Sequence, residues 1–375
     1  MSASSVNEFG QNVLQQLFRS QNFTGNVAFS GVSLYVTMAI LSVGLREKTA
    51  KQLADFMGND FQKLHDEKNW KGSESADELT RLRKGIETSS TLSSVLFHGV
   101  PVHKSFEQIS KDIFGLELDK IDFTDPTKAM NKMNKFVEKA TKGMLKDVFK
   151  QPMEQDTLMV LINVLYFYGE WEKKFSRDLT SKKPFETGQE EVMVDMMYEK
   201  EDYQIYLDDD NNVDYIFLSF KREGLYGVVV LPRPGIQLKD ILNNKSSYDL
   251  NRPFELSKER KARLELPKFN FMSELNLVQT FMDNNVSDLF TRGQADMSGM
   301  ISGSGFVGSL IQVAKINVDE TGTTASAATV LRIQPASLEW DVVDFFVRRP
   351  FVYHIYHSNM DLILFSAIVT NPNLE

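Results

Sequence analysis

The sequence predicts an α+β protein built as one large domain over residues 1–375. Three observations carry that expectation. Helical periodicity fills roughly the first 150 residues, and strand patterns dominate from about residue 185 onward. No proline-, glycine- and serine-rich stretch parts the chain into halves, and no internal repeat is visible. Hydrophobic residues make up 42% and charged residues 25%, a balance that fits a globular core and not a disordered, collagen-like or rod-like chain.

The elements follow in order. Phe9, Val13, Leu14, Leu17 and Phe18 recur at helical spacing and give a first amphipathic helix. Residues 26–29 read as a short strand. Ser30-Gly31-Val32-Ser33 then opens a helix carrying Leu34, Met38 and Leu41. Thr49 is expected to cap the next helix, with Leu53, Phe56 and Met57 on one face and Gly58 as its stop. Residues 77–88 are charged and helical, and 93–97 form a strand. Residues 129–149 carry Met133, Phe136, Val137 and Leu145 at helical spacing. Residues 158–168 are a continuous apolar run, which fits a strand buried on both faces. Residues 215–220 and 228–231 are apolar strands joined as a hairpin at Glu223-Gly224. Leu264-Glu265-Leu266 alternates and stops at Pro267, and residues 313–318 alternate again. Residues 351–369 hold two apolar strands around His357-Ser358-Asn359.

Composition removes several functions. Lysine and arginine number 42 against 51 acidic residues, a net charge of −9, so no nucleic-acid partner is expected. With no cysteine there is no disulfide, zinc–thiolate site, iron–sulfur cluster or thiol nucleophile. Five histidines, none in a His-x-x-x-His pair, give little support for a histidine metal site. No apolar run is long enough to span a membrane. The start, Met1-Ser2-Ala3-Ser4-Ser5, shows no apolar leader core. Export after removal of a leader and a cytoplasmic location both fit that start. Candidate glycosylation sequons at Asn22, Asn244 and Asn285 lean towards an extracellular protein.

Motifs for enzyme chemistry are weak. Gly303-Ser304-Gly305-Phe306-Val307-Gly308 matches a dinucleotide fingerprint in letters only, because it lies between a loop and an expected strand. Asp208-Asp209-Asp210-Asn211-Asn212 lacks the glycine and distal glutamate of a calcium loop and reads as a solvated turn. There is no Gly-x-Ser-x-Gly elbow and no phosphate-binding loop. The chain is therefore not expected to be an enzyme or to hold a cofactor or metal.

The segment from Gly322 to Pro335 is more informative. Split by strand parity, one face is Thr323, Ala325, Ala327, Thr329, Leu331 and Ile333, small and then apolar. The other face is Thr324, Ser326, Ala328, Val330, Arg332 and Gln334, mostly polar. No proline interrupts before Pro335, so each residue between can donate to a ladder. Either it is a surface loop before the last strands, or it is a loop that can become a strand.

Several blocks together resemble the serpin family over nearly the whole chain. They are Asp319-Glu320-Thr321-Gly322-Thr323-Thr324-Ala325-Ser326-Ala327-Ala328-Thr329, Asn163-Val164-Leu165-Tyr166-Phe167-Tyr168-Gly169-Glu170-Trp171 with Phe175, and Leu266-Pro267-Lys268-Phe269. Phe136-Val137-Glu138-Lys139-Ala140-Thr141-Lys142-Gly143, Arg349-Pro350-Phe351 and Asn371-Pro372 complete the set. Each is weak alone, and their joint order is specific.

The resemblance implies a serpin fold: three β-sheets, eight or nine helices, and an exposed reactive-centre loop over about residues 320–345. It implies a monomeric suicide inhibitor of serine proteases, whose cut loop enters the main sheet and traps the acyl-enzyme. The hinge would be Glu320, Gly322, Thr323, Ala325, Ala327, Ala328 and Thr329. The family's register places the reactive bond between Ala336 and Ser337, with Ile333, Gln334, Pro335 and Leu338 as loop subsites. Alanine at 336 points to an elastase-like protease. Leu338 as the specificity residue would instead suit a chymotrypsin-like one, and Arg332 a trypsin-like one. Ser30, Ser33, Asn163, Trp171 and Gln312 would form the shutter and breach of the opening sheet. Two departures stand out: Gly31 replaces the family's usual proline, and Gln312 its common histidine, so the polar cluster is expected to be wired through Gln312. The alternative is a non-inhibitory serpin acting as carrier or chaperone. A glycosaminoglycan partner would draw on Arg81, Arg83 and Lys84, although Asp77 and Glu87 beside them fit a solvated face.

Overall fold

The computed structural model describes residues 2–61, 64, 72–87, 90–143, 145–152, 157–244, 248–323 and 342–374. Among the described residues there are nine α-helices and three β-sheets, as the resemblance implied. They gather into two compact units whose segments alternate along the chain.

The first unit comprises Met1–Val13, Ser30–Tyr166 and Ser273–Ala314. At its centre is the helix Gly31–Gly44, every residue of which is buried. Ser30 caps it, its side chain accepting from the Ser33 N–H, the role an N-cap serine commonly fills. Phe9 packs edge-on against Tyr35, with centroids 5.3 Å apart. Beside that pair, the first helix meets the second at two glycines. A Cβ on Gly31 would lie 2.4 Å from Gly10 Cα, closer than any side chain tolerates.

The third helix, Glu47–Met57, starts two residues before Thr49. Thr49 is buried inside it, and its hydroxyl accepts instead from the Asp296 N–H at 2.9 Å. The expected stop at Gly58 holds, with φ of 65°. The helix Pro126–Ala140 begins at an Asp125 cap that accepts from the Lys128 N–H. It ends nine residues short of the expected Phe149. Thr141 closes the last turn, and Lys142 and Gly143, at φ of 52° and 82°, swing the chain away. Leu145, Val148 and Phe149 still reach the same hydrophobic core, but from a returning segment.

Five strands form one sheet in the order Phe269–Asn276, Ser309–Val318, Met159–Phe167, Ser90–His98 and Glu117–Lys120. One face carries Val95, Phe97, Val160, Ile162, Val164, Ile311 and Val313, packed with Ala129, Met133 and Val137 of the helix Pro126–Ala140. By strand parity Asn163 and Gln312 point to the opposite face.

The second unit comprises Leu14–Phe29, Phe167–Met272 and Lys315–Glu375. It holds a nine-stranded sheet running from Val27–Phe29 at one edge to Val343–Phe346 at the other. Leu225–Pro232 and Val213–Ser219 pair antiparallel in it, and Gly224, at φ of 75°, turns the predicted hairpin. The third sheet is a two-residue ribbon in which Gly322–Thr323 pairs antiparallel with Gly169–Glu170.

Candidate shutter and reactive-loop hinge

Six polar side chains gather beneath the five-stranded sheet, and all are buried. Gln312 is the hub. Its Oε1 accepts from the Ser30 N–H at 2.8 Å, and its Nε2 donates to the Ser30 carbonyl at 3.1 Å and to Asn163 Oδ1 at 2.8 Å. Asn163 Oδ1 also accepts from the Ser33 hydroxyl at 2.6 Å. Asn163 Nδ2 donates to Ser94 Oγ at 2.9 Å and Thr37 Oγ1 at 3.2 Å. With every amide atom partnered, the cluster avoids the cost of orphaned buried groups.

Gln312 lies on Ser309–Val318 and Asn163 on Met159–Phe167, so one amide–amide bond ties two neighbouring strands of the sheet. Thr37 and Ser94 were not singled out from the sequence. Ser30, Ser33 and Thr37 fall at helical spacing, and that signal would have found Thr37. Nothing local marks Ser94, which only strand pairing brings in.

The hinge lies in the second unit. The Asp319 carboxylate accepts from the Thr321 N–H at 2.8 Å and the Thr321 hydroxyl at 2.6 Å, folding the chain back. Gly322 then sits at φ of 139°, and a Cβ there would fall 2.1 Å from the Gly169 carbonyl oxygen. No other residue fits so close to another backbone at that φ.

Trp171 braces this turn. Its N–H donates to the Thr321 carbonyl at 3.1 Å, and its indole Nε1 donates to the Asp319 carbonyl at 3.0 Å. The ring stacks on Phe220 with centroids 4.5 Å apart and planes 13° apart. Phe175 donates its N–H to the Glu320 carbonyl.

The Glu320 carboxylate accepts from the Thr180 hydroxyl at 2.8 Å and pairs with Lys268 at 3.0 Å. Burial alone would raise its pKa. Hydrogen bonds from its own N–H, Lys268 and Thr180 outweigh that and hold it below the usual glutamate value. Thr323 is fully buried, and its hydroxyl has no hydrogen-bond partner among the described residues.

Ala325, Ala327, Ala328, Thr329, Ile333, Gln334, Pro335, Ala336, Ser337 and Leu338 lie outside the described residues. Further along the chain, Val343–Phe346 pairs parallel with Lys258–Pro267.

Asn22 and Asn285 are exposed in left-handed turns, with φ of 55° and 64°. Asn244 is exposed as well, but its amide donates to Asn211 Oδ1 at 2.9 Å. On the helix Glu74–Glu87, Arg81 and Lys84 are exposed, whereas Arg83 is half-buried against Gly115 and 3.4 Å from Glu87. The Asp208 carboxylate is taken up by the N–H and side-chain amide of Asn211, as in an ordinary turn.

These features define a class first: a three-sheet α+β chain whose central strands are joined by a buried polar cluster, with a braced glycine hinge beyond one of them. The chain belongs to the serpin family, whose model, Serpin (serine protease inhibitor), matches residues 4–372. It is similar to Iripin-2 of Ixodes ricinus, 28% identical over 96% of this chain and 90% of that protein. It is also similar to the leukocyte elastase inhibitor of Xenopus laevis, 29% identical over 94% of each. Among solved structures, thyroxine-binding globulin in complex with thyroxine superposes with a TM-score of 0.86 at 23% identity, covering 99% of both chains. The fold is thus shared with a protein that is solved bound to thyroxine. Among the described residues no helix is long and apolar enough to cross a membrane.

Proposed function

We propose that this serpin inhibits a serine protease as a suicide substrate. The protease serine attacks the carbonyl of Ala336, the amine of Ser337 leaves, and the acyl-enzyme is trapped when the cut loop enters the main sheet. In this reading the loop goes in between Ser309–Val318 and Met159–Phe167, now direct neighbours. The chain acts as a monomer and as one domain, and the small Ala336 selects an elastase-like enzyme, with Leu338 offering a chymotrypsin-like one.

The observation that carries the reading is the hinge. Gly322–Thr323 is already seated as a short strand at Gly169–Glu170, uncharged and small, so the inward face of the sequence begins inside the protein. An uncharged hinge matters because slow insertion would let the enzyme hydrolyse the acyl bond and escape, and a buried unpaired charge would slow it. The exposed sequons at Asn22 and Asn285 support export.

The test is a protease panel read on denaturing gels. A heat- and detergent-stable band at the summed mass supports the reading, and the released C-terminal peptide should begin at Ser337. No such band, with no gain in heat stability after loop cleavage, would instead fit a carrier or chaperone.

A further inference from the structure

The indole of Trp171 meets more than the hinge. Its Nε1 end holds the Asp319 carbonyl, and its benzo end runs out over Gly227 in the strand Leu225–Pro232. A Cβ on Gly227 would lie 2.8 Å from Cη2 and 2.9 Å from Cζ3 of that ring. The same Cβ would fall on the hydroxyl oxygen of Tyr353. Glycine is needed at 227 for room, since a side chain there would overpack the site.

Tyr353 lies on the strand Phe351–His357, where it pairs with Val229. Gly227 is two residues along the facing strand and on the same face, a diagonal that an aromatic side chain can span. The ring of Tyr353 is well packed. It is fully buried and meets Phe269 edge-on, with centroids 5.5 Å apart. Its hydroxyl is not so well served, having no hydrogen-bond partner among the described residues. Burial pushes its pKa well up, so the group stays neutral. A buried hydroxyl left without a partner costs more than a made bond returns. Phenylalanine would fill the ring's place without that cost.

The hydroxyl and the hinge compete for one rigid ring. While Nε1 is bonded to Asp319 and the indole is stacked on Phe220, the benzo end cannot draw back from the Tyr353 oxygen. We propose that Tyr353 is a positioning residue that loads the hinge through Trp171: its hydroxyl goes unmet while the hinge turn is in place and is satisfied when the turn leaves. The uncut protein then carries a cost that loop entry releases. Once Asp319 departs, the benzo end can turn, and water reaches the oxygen past Glu170, whose side chain is part-exposed beside Trp171. The release rests on the proposed entry of the cut loop into the main sheet.

The experiment compares unfolding temperatures of the whole protein before and after an unrelated protease cuts the loop. Tyr353→Phe should raise that of the uncut protein and leave that of the cut protein unchanged. It should also slow the gain of heat stability after cutting by about fivefold or more, because the cost is no longer there to be released. In a Trp171→Phe background, whose shorter ring leaves the hydroxyl free, Tyr353→Phe should bring no rise. An equal rise in cut and uncut protein would overturn the proposal, because the hydroxyl would then go unmet in both. So would no rise in the uncut protein, or a rise that persists beside Trp171→Phe. Wild type that gains no heat stability on cutting would sink the reading of the loop and the release with it. The Trp171→Phe comparison would still decide whether Tyr353 acts through the indole.

Discussion

Gly31 stands where serpins usually carry proline, and its neighbour explains the exchange. Proline suits the first turn of a helix, where its missing N–H costs nothing. Here a Cβ at that place would collide with Gly10 at 2.4 Å. Gly31→Pro should therefore destabilise the protein by about 2 kcal/mol, the usual scale of overpacking, despite the favourable helix position. Thermal unfolding of the variant checks this. Thr323 gives a second prediction at the same scale. It is fully buried, so an arginine there would carry an unpaired charge inward at a cost of several kcal/mol, ~3 or more. Thr323→Arg should still be cleaved in the loop but should lose the covalent band on denaturing gels. The residues of the buried cluster were legible in the sequence only as letters. That Gln312 reaches Asn163 follows from strand pairing across about 150 residues, and its bond to Ser30, the cap of a helix, spans about 280, which no local pattern encodes.

At the level of elements, sequence patterning was reliable where every residue along the element is buried. The helix Gly31–Gly44 and the strand Met159–Phe167 are cases of this, being apolar enough to stand out. The helix expected over 129–149 shows how such a pattern misleads. Leu145 and Val148 do face the core, but the positive φ at Lys142 and Gly143 turns the chain before they get there. The 18-residue strand Glu191–Asp208 was missed for the opposite reason. Glu199-Lys200-Glu201-Asp202 interrupts its apolar alternation, and pairing along Lys258–Pro267 holds it extended regardless of propensity. The returning segment after the helix Pro126–Ala140 depends on one side chain. Asn134→Ala would orphan the buried N–H and carbonyl of Phe149, a cost of about 2 to 4 kcal/mol. Hydrogen exchange at the Phe149 amide should accelerate in that variant well beyond any change in the sheet.

Across the whole molecule, buried carboxylates tie stability to pH. Burial would raise Glu265, but its bonds to Arg348 and Lys183 hold it below the ordinary glutamate value. Burial likewise opposes Lys48 and Gln52 at Asp288, and again the partners prevail, as they do at Glu320. Groups with depressed values stabilise the fold fully above their unfolded values near pH 4, and that contribution is lost as pH falls through the lower folded values. The unfolding temperature should accordingly drop steeply below about pH 4. Glu320→Gln should blunt that drop, because one of the protons taken up on acid unfolding disappears. Fold class was the part of the molecule most open to inspection, since helices crowd the first part of the chain and strands the rest. The division into two compact units was not, because each draws on segments far apart in sequence.

Trp171 also makes the hinge visible. Its indole is buried, flat against Phe220, and hydrogen-bonded to the carbonyl from which the hinge turns. The chain has three tryptophans, so replacing Trp70 and Trp340 with phenylalanine would leave one fluorophore. Any movement that draws Asp319 away removes that hydrogen bond and changes the indole's polarity, and its emission should shift in step. Time-resolved emission of that variant after mixing with protease would therefore clock the hinge directly, without a dye or an added label.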